Sequence, residues 1–329
     1  MGAPRLVLRS VAPFLLALPA LWAVQLVAPQ YMAIVLVNIA VNVILAVSLN
    51  VVNGFTGQFS IGHAAFMAVG AYTAALITTG FREVQIAFLP VALSDAVVFA
   101  SALVAGMAAA SVAGLVVGIP SLRLRGDYLA IVTLGFGEII RVVIENTRVL
   151  GQATGISGLP PYTNIVWAGL GVVATVVMAR RLLVSTQGRA LLAIREDEVA
   201  AEAMGVDTVG WKVRAFVISA AFAGLAGGLL VHKILLVTPR MFTFVKSMEV
   251  VVMVVLGGMG SITGSIIAAT VLTIALEWLR GLEQYRMVIY SFLLIVLMLT
   301  RPSGLFGTKE IWDTLPRWLG GRRADGGAS

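Results

Sequence analysis

Asn38, Asn42, Ser48 and Asn50 lie inside one apolar stretch, Ile34 to Val52. Their spacing puts Asn38, Asn42 and, nearly, Asn50 on one face of a helix. A carboxamide carries two donors and an acceptor oxygen, and is costly to leave bare in hydrocarbon. That face must therefore look at protein or at a water-filled path. Two chemistries fit: hydrogen bonds that hold a neighbouring helix, or a polar lining for cargo. The next segment, N-G-F-T-G-Q-F-S-I-G-H from Asn53 to His63, adds Asn53, Ser60 and His63. Its Gly54, Gly57 and Gly62 weaken a continuous helix by up to ~1 kcal/mol each. With apolar flanks on both sides, the segment reads as a broken or re-entrant element. Such backbone is tolerated at membrane depth only where it is buried in protein or lines a cavity. The alternative is an ordinary turn at the membrane surface, with His63 a packing residue. Asn38, Asn42, Asn50, Asn53, Ser60 and His63 are the candidate lining of a translocation path.

A second constellation is electrostatic. Gly188 to Arg214, GRALLAIREDEVAAEAMGVDTVGWKVR, is the longest polar interval of the chain. It concentrates Arg189, Arg195, Glu196, Asp197, Glu198, Glu202, Asp207, Lys212 and Arg214 around a helical apolar pattern of Leu191, Leu192, Ile194, Val199, Ala203 and Met204. The pattern predicts a short amphipathic helix outside the bilayer. It is either a docking element for a partner or a solvated face.

The elements that position these residues are membrane helices. Of 329 residues, 59% are hydrophobic and 12% charged, with mean hydropathy +0.98; soluble domains carry about 25% charged residues. The apolar runs are continuous and near the ~20 residues a spanning helix needs, unlike the alternating ten-residue segments of a barrel. The expected class is an all-α integral membrane protein of about ten transmembrane or re-entrant helices. The net charge of +7 is the positive-inside bias of a membrane protein rather than a nucleic-acid footprint. There is no cysteine, which excludes disulfides and thiol chemistry. P-loop, H-E-x-x-H and G-x-S-x-G motifs are absent, so no cofactor, metal or catalytic residue is expected in this chain.

In order, the expected spans are Val11–Ala28, Ile34–Val52, Ala64–Thr79, Val91–Val117, Tyr128–Ile144, Asn164–Leu183 and Ala215–Val237. Glu249–Leu256 follows and is too short to span alone. Ile262–Leu279 and Met287–Leu299 complete the set. Arg5 and Arg9 before Val11 suit an uncleaved first helix with its N-terminus in the cytoplasm, or a signal peptide cleaved near Ala20 or Ala23. Phe81 to Glu83, Thr147 to Thr163 and Pro239 to Lys246 read as outer loops, and Ser121 to Asp127 as an inner basic loop. Glu138 and Arg141 can pair three apart on the fifth span. Most Lys and Arg then lie inside, which makes both termini and Gly188–Arg214 cytoplasmic. Residues 1–309 form the membrane domain, and 310–329 a fraying tail. Acidic residues are scarce within the spans, which argues against a self-powered carrier or channel.

One short echo links the halves. Val51-Val52-Asn53-Gly54-Phe55-Thr56-Gly57 and Val254-Val255-Leu256-Gly257-Gly258-Met259-Gly260 both read V-V-x-G-x-x-G, and each is followed by Ser-Ile. Gly54, Gly57, Gly257, Gly258 and Gly260 are the helix-break glycines of two repeat-like halves, with the pathway expected at the repeat interface.

Four blocks carry a family resemblance: Asn53 to Tyr72, Leu122 to Arg141, Gly188 to Val206 and Val255 to Gly264. In this order they resemble the permeases of high-affinity branched-chain amino acid ABC importers, LivM-type, over about Ile34 to Gly307. The resemblance implies a multi-pass protein of the bacterial inner membrane. Its implied partners are a second, LivH-type permease, two cytoplasmic ATPases and a periplasmic binding protein. It also implies that Gly188 to Val206 couples to the ATPases, with Glu198-Val199-Ala200-Ala201 and Gly205 matching a loosely kept Glu-Ala-Ala…Gly signature. Arg195, Glu196, Asp197, Glu198, Ala201, Glu202 and Gly205 are the residues expected to couple. Thr154-Gly155-Ile156-Ser157-Gly158-Leu159 keeps a family loop in outline but lacks its Asn or Asp. The expected cargo is a branched-chain or other small amino acid. Similar permeases import urea, short amides or aromatic acids.

Overall fold

The computed structural model describes residues 18–81, 91–124, 126–279 and 307. The described residues open with α1 (Leu18–Val27), then α2 (Gln30–Asn50), which widens into a π-helical turn over Val51–Phe55. There follow α3 (His63–Gly80), α4 (Val91–Ser121), α5 (Asp127–Asn146) and α6 (Ile165–Val184). The polar segment comes next, and then α9 (Thr208–Ile234), α10 (Phe244–Gly257) and α11 (Ile262–Trp278). Among the described residues, α2, α4, α6 and α9 are long and apolar enough to cross a membrane. The expected Met287–Leu299 span, the Arg82–Glu83 loop and the 310–329 tail lie outside the described residues.

α2 and α9 form the axis. Residues 41–56 are buried without interruption, and polar side chains among them, Asn42, Ser48 and Asn50, find hydrogen-bond partners inside the bundle. α2 packs on α6, α9, α10 and α11, and α9 packs on α3 and α4 as well. Small residues set how closely α3, α4 and α9 approach. A Cβ on Gly106 of α4 would stand 2.8 Å from the Gly70 carbonyl of α3. One on Gly224 of α9 would stand 2.8 Å from the Gly106 carbonyl and 2.6 Å from Ala110 Cβ. Three backbones thus meet where hydrocarbon offers no hydrophobic drive and packing must hold the helices. The outer surface is apolar: Val104, Val112 and Val116 of α4 and Ile131, Ile139 and Val143 of α5 are exposed.

Opposite ends of the bundle are tied differently. At one end, β1 (Ile156–Ser157) pairs antiparallel with β2 (Leu236–Val237), and His232 of α9 shares a hydrogen bond of 2.8 Å with Thr78 of α3. The Thr147–Thr163 loop is thereby pinned to the end of α9 by a short ladder that the sequence does not announce. At the other end stand α7 (Thr186–Glu196) and α8 (Glu198–Ala203). The single amphipathic helix expected here is two helices, because Asp197 takes an extended backbone conformation and its carboxylate accepts the Val199 and Ala200 amides. A side chain that caps a new helix stops the old one.

Candidate functional site

The two glycine interruptions are far apart in sequence and touch in the fold. Asn50, at the end of α2, donates from Nδ2 to the Ser261 carbonyl at 2.9 Å and accepts the Gly260 amide on Oδ1 at 2.8 Å. One buried carboxamide thereby clasps the backbone between α10 and α11. Gly54 is required by this approach, since a Cβ there would collide with Asn50 Oδ1 and the Gly260 amide. Gly258 and Gly260 have φ of +107° and +99°, a region that side chains rarely adopt. The break after α10 therefore needs glycine at both positions.

Arg195, the last-turn cation of α7, closes the clasp from outside the bundle. Its Nη1 donates to the Gly54 carbonyl at 3.0 Å. A Cβ on Gly260 would stand 2.6 Å from the same nitrogen, and one on Gly57 3.3 Å from Arg195 Cγ. The Gly54 carbonyl is available because it lies in the last turn before the helix stops at Phe55, where carbonyls have no helical amide ahead of them. The guanidinium thus links the polar α7–α8 segment to both helix breaks.

The seven residues expected to couple divide by direction. Glu196, Asp197, Glu202 and Gly205 are exposed, together with Val199 and Met204, 63% and 84% accessible. Ala201 is buried and Arg195 points at the break. Glu198 faces inward: Lys212 of α9, 1% exposed, donates to its Oε2 at 2.5 Å. This ion pair locks α8 to the second turn of α9. It spans fourteen residues, so no helical period reveals it.

The six candidate path residues also separate. Asn50 is the clasp. Asn53 accepts the Ser60 amide at 3.2 Å, folding the Thr56–Gly62 connection back on α2, while its Nδ2 has no partner. His63 shares a hydrogen bond of 3.0 Å with Ser48, whose carbonyl accepts from Ser219 of α9. α3 therefore begins alongside the body of α2, not beyond its end. Asn38 and Asn42 instead line an open cavity of about 200 Å³ between α2, α9, α10 and α11.

That cavity contains charges that sequence reasoning missed. Lys246 Nζ donates to Asn42 Oδ1 and to Glu249 Oε2, both at 3.0 Å. Asn42 Nδ2 donates to Thr273 of α11 at 2.9 Å. Lys246 belongs to the first turn of α10 rather than to an outer loop. Opposite charges at i and i+3 were the available signal. The same spacing does pair Arg141 with Glu138 at 2.7 Å on α5, and Glu145 adds a second carboxylate at 2.9 Å. Among the described residues, no group of His, Cys, Asp and Glu could hold a metal ion.

A family model described as the permease component of branched-chain amino acid transport systems matches residues 31–300. The chain is similar to the LivM permease protein of the high-affinity branched-chain amino acid transport system of Escherichia coli. Identity is 38% over 300 residues, 80% of this chain and 67% of the relative. A probable LivM of Methanocaldococcus jannaschii is 26% identical over 82% of this chain and 91% of its own length. The LivH permease protein of Escherichia coli is 36% identical over 130 residues, covering 39% of this chain and 42% of its own length. No solved structure matches. A bundle of apolar helices and a family match over most of its length agree: the chain belongs to the permease component family of branched-chain amino acid transport systems.

Proposed function

We propose that this chain is a transmembrane permease subunit of an ATP-driven importer for branched-chain or other small amino acids. It takes cargo delivered by a periplasmic binding protein and works beside a second, LivH-type permease. Hydrolysis takes place in two cytoplasmic ATPase chains. The supporting observation is the physical chain from surface to bundle. α7 and α8 expose Glu196, Asp197, Val199, Glu202 and Met204, and Arg195 at the same site bonds the Gly54 carbonyl between the two helix breaks. A displacement of α8 reaches α9 through Glu198–Lys212 and the breaks through Arg195. In this reading the protein is multi-pass in the bacterial inner membrane, with cytoplasmic termini, and the V-V-x-G-x-x-G segments belong to two repeat-like halves. The similarity to both LivM and LivH relatives supports the second permease.

The test is a mild-detergent pull-down with charge reversal at Glu196 and Glu202. Wild-type chain should bring down two ATPases and a second permease, and Glu202→Lys should release the ATPases. A chain that elutes alone, or a complex indifferent to both reversals, sinks the coupling assignment. Glu198 is unsuitable for this test, since its reversal also breaks the Lys212 pair. A second reading, a secondary carrier, draws on the Lys246–Glu249 charges beside Asn42. It predicts gradient-driven uptake by the chain alone.

A further inference from the structure

We infer that the cavity bounded by Asn38, Asn42, Lys246 and Glu249 binds the zwitterionic head of an α-amino acid, with an apolar wall for its side chain. This deepens the proposed import function and rests on it. An ammonium has three N–H donors. Lys246 spends one on Asn42 and one on Glu249, which leaves the third for a carboxylate. Glu249 uses Oε2 in that pair, so Oε1 can accept from a ligand ammonium, with Glu277 a second carboxylate in the same cavity. Val41, Leu230 and Leu276 form the apolar part of the lining and suit a branched aliphatic chain. A cavity of about 150 Å³ admits a molecule the size of benzene, and this one is about 200 Å³.

Position favours a ligand over a structural ion pair. Charges in an apolar bundle are expensive and mark functional paths by default. Lys246 and Glu249 are only 20% and 22% exposed, yet they face an open cavity. Asn42 holds Lys246 on one side and Thr273 on the other, so the cation's direction is set before a ligand arrives. The cavity is twelve residues along α2 from Gly54, about 18 Å at the helical rise. Cargo here sits one leg of the path away from the Arg195 clasp.

The experiment measures thermal protection of the purified full-length chain in lipid nanodiscs. The probes are L-leucine, L-leucinamide, which lacks the carboxylate, and 4-methylpentanoate, which lacks the ammonium. L-Leucine should protect at concentrations where neither analogue does. In Lys246→Met, leucine should lose about tenfold or more in affinity and become equal to leucinamide. In Glu249→Gln, leucine should become equal to 4-methylpentanoate. The ratio between ligands within one variant does not depend on how much of that variant is folded. Absence of leucine protection in wild type, or unchanged ratios in both variants, overturns the inference. The full complex separates the two ideas. If it imports leucine at the wild-type maximal rate in both variants, the pocket is wrong and the importer reading stands. If no amino acid is imported by the wild-type complex, the importer reading itself fails.

Discussion

Gly54→Ala tests the clasp most directly. The added methyl would collide with Asn50 Oδ1 and the Gly260 amide and stand 2.9 Å from Asn50 Cγ. It therefore sits on the line of the 2.8 Å bond between Gly260 and Asn50. Relief requires the two helix breaks to part, which strands the Gly260 amide and pulls the Gly54 carbonyl from Arg195. Losing a buried neutral bond costs about 1–3 kcal/mol, and a charged one about 1.5–3 kcal/mol. Alanine returns up to ~1 kcal/mol over glycine in a helix. The net loss is about 2–5 kcal/mol. Thermal unfolding in detergent should show a clear fall in midpoint, and the assembled complex should hydrolyse ATP with little uptake. Gly135→Ala is the control, because that α5 glycine has nothing within 4 Å and should be neutral or slightly stabilising. If the two alanine variants unfold alike and transport alike, the apposition of the two breaks is not what holds this end of the bundle.

Lys212→Met should cost about 2–4 kcal/mol, since it leaves the Glu198 carboxylate without its buried partner; adding Glu198→Leu should recover most of the loss in a double-mutant cycle. Asp197→Ala removes the α8 cap and should lower stability by about 1 kcal/mol, read as faster amide exchange confined to 198–203. Gly224→Ala should separate α3, α4 and α9, with a midpoint loss that a bulkier Val deepens. Arg195→Lys keeps the charge but not the reach and planar fork of the guanidinium, so uptake should fall while ATPase association is retained.

The residues at fault in the single-helix expectation show why local pattern has limits. Leu191, Ile194, Val199 and Met204 keep a helical period across Asp197, but period does not register a side chain that caps the backbone. Likewise Lys246 reads as the end of a loop because Pro239 and Thr243 precede it. Only the start of α10 at Phe244 turns it into the i, i+3 partner of Glu249.

Composition and run length by themselves determined a helical membrane protein. Glycine spacing pointed to the neighbourhoods where the helices end, although Gly54 and Gly257 themselves lie inside helical segments that stop at Phe55 and Gly257. The Asn38–Asn42 face and the polar Gly188–Arg214 segment were equally legible, since both are periodic or compositional. Contacts across the bundle were decided only by the tertiary structure. Asn50 with Gly260, Arg195 with Gly54, Lys212 with Glu198 and Lys246 with Asn42 join residues 14 to 210 positions apart. Which polar group spends its hydrogen bonds on the fold, and which faces a cavity, depends on the neighbours that packing brings. No local spacing encodes those neighbours.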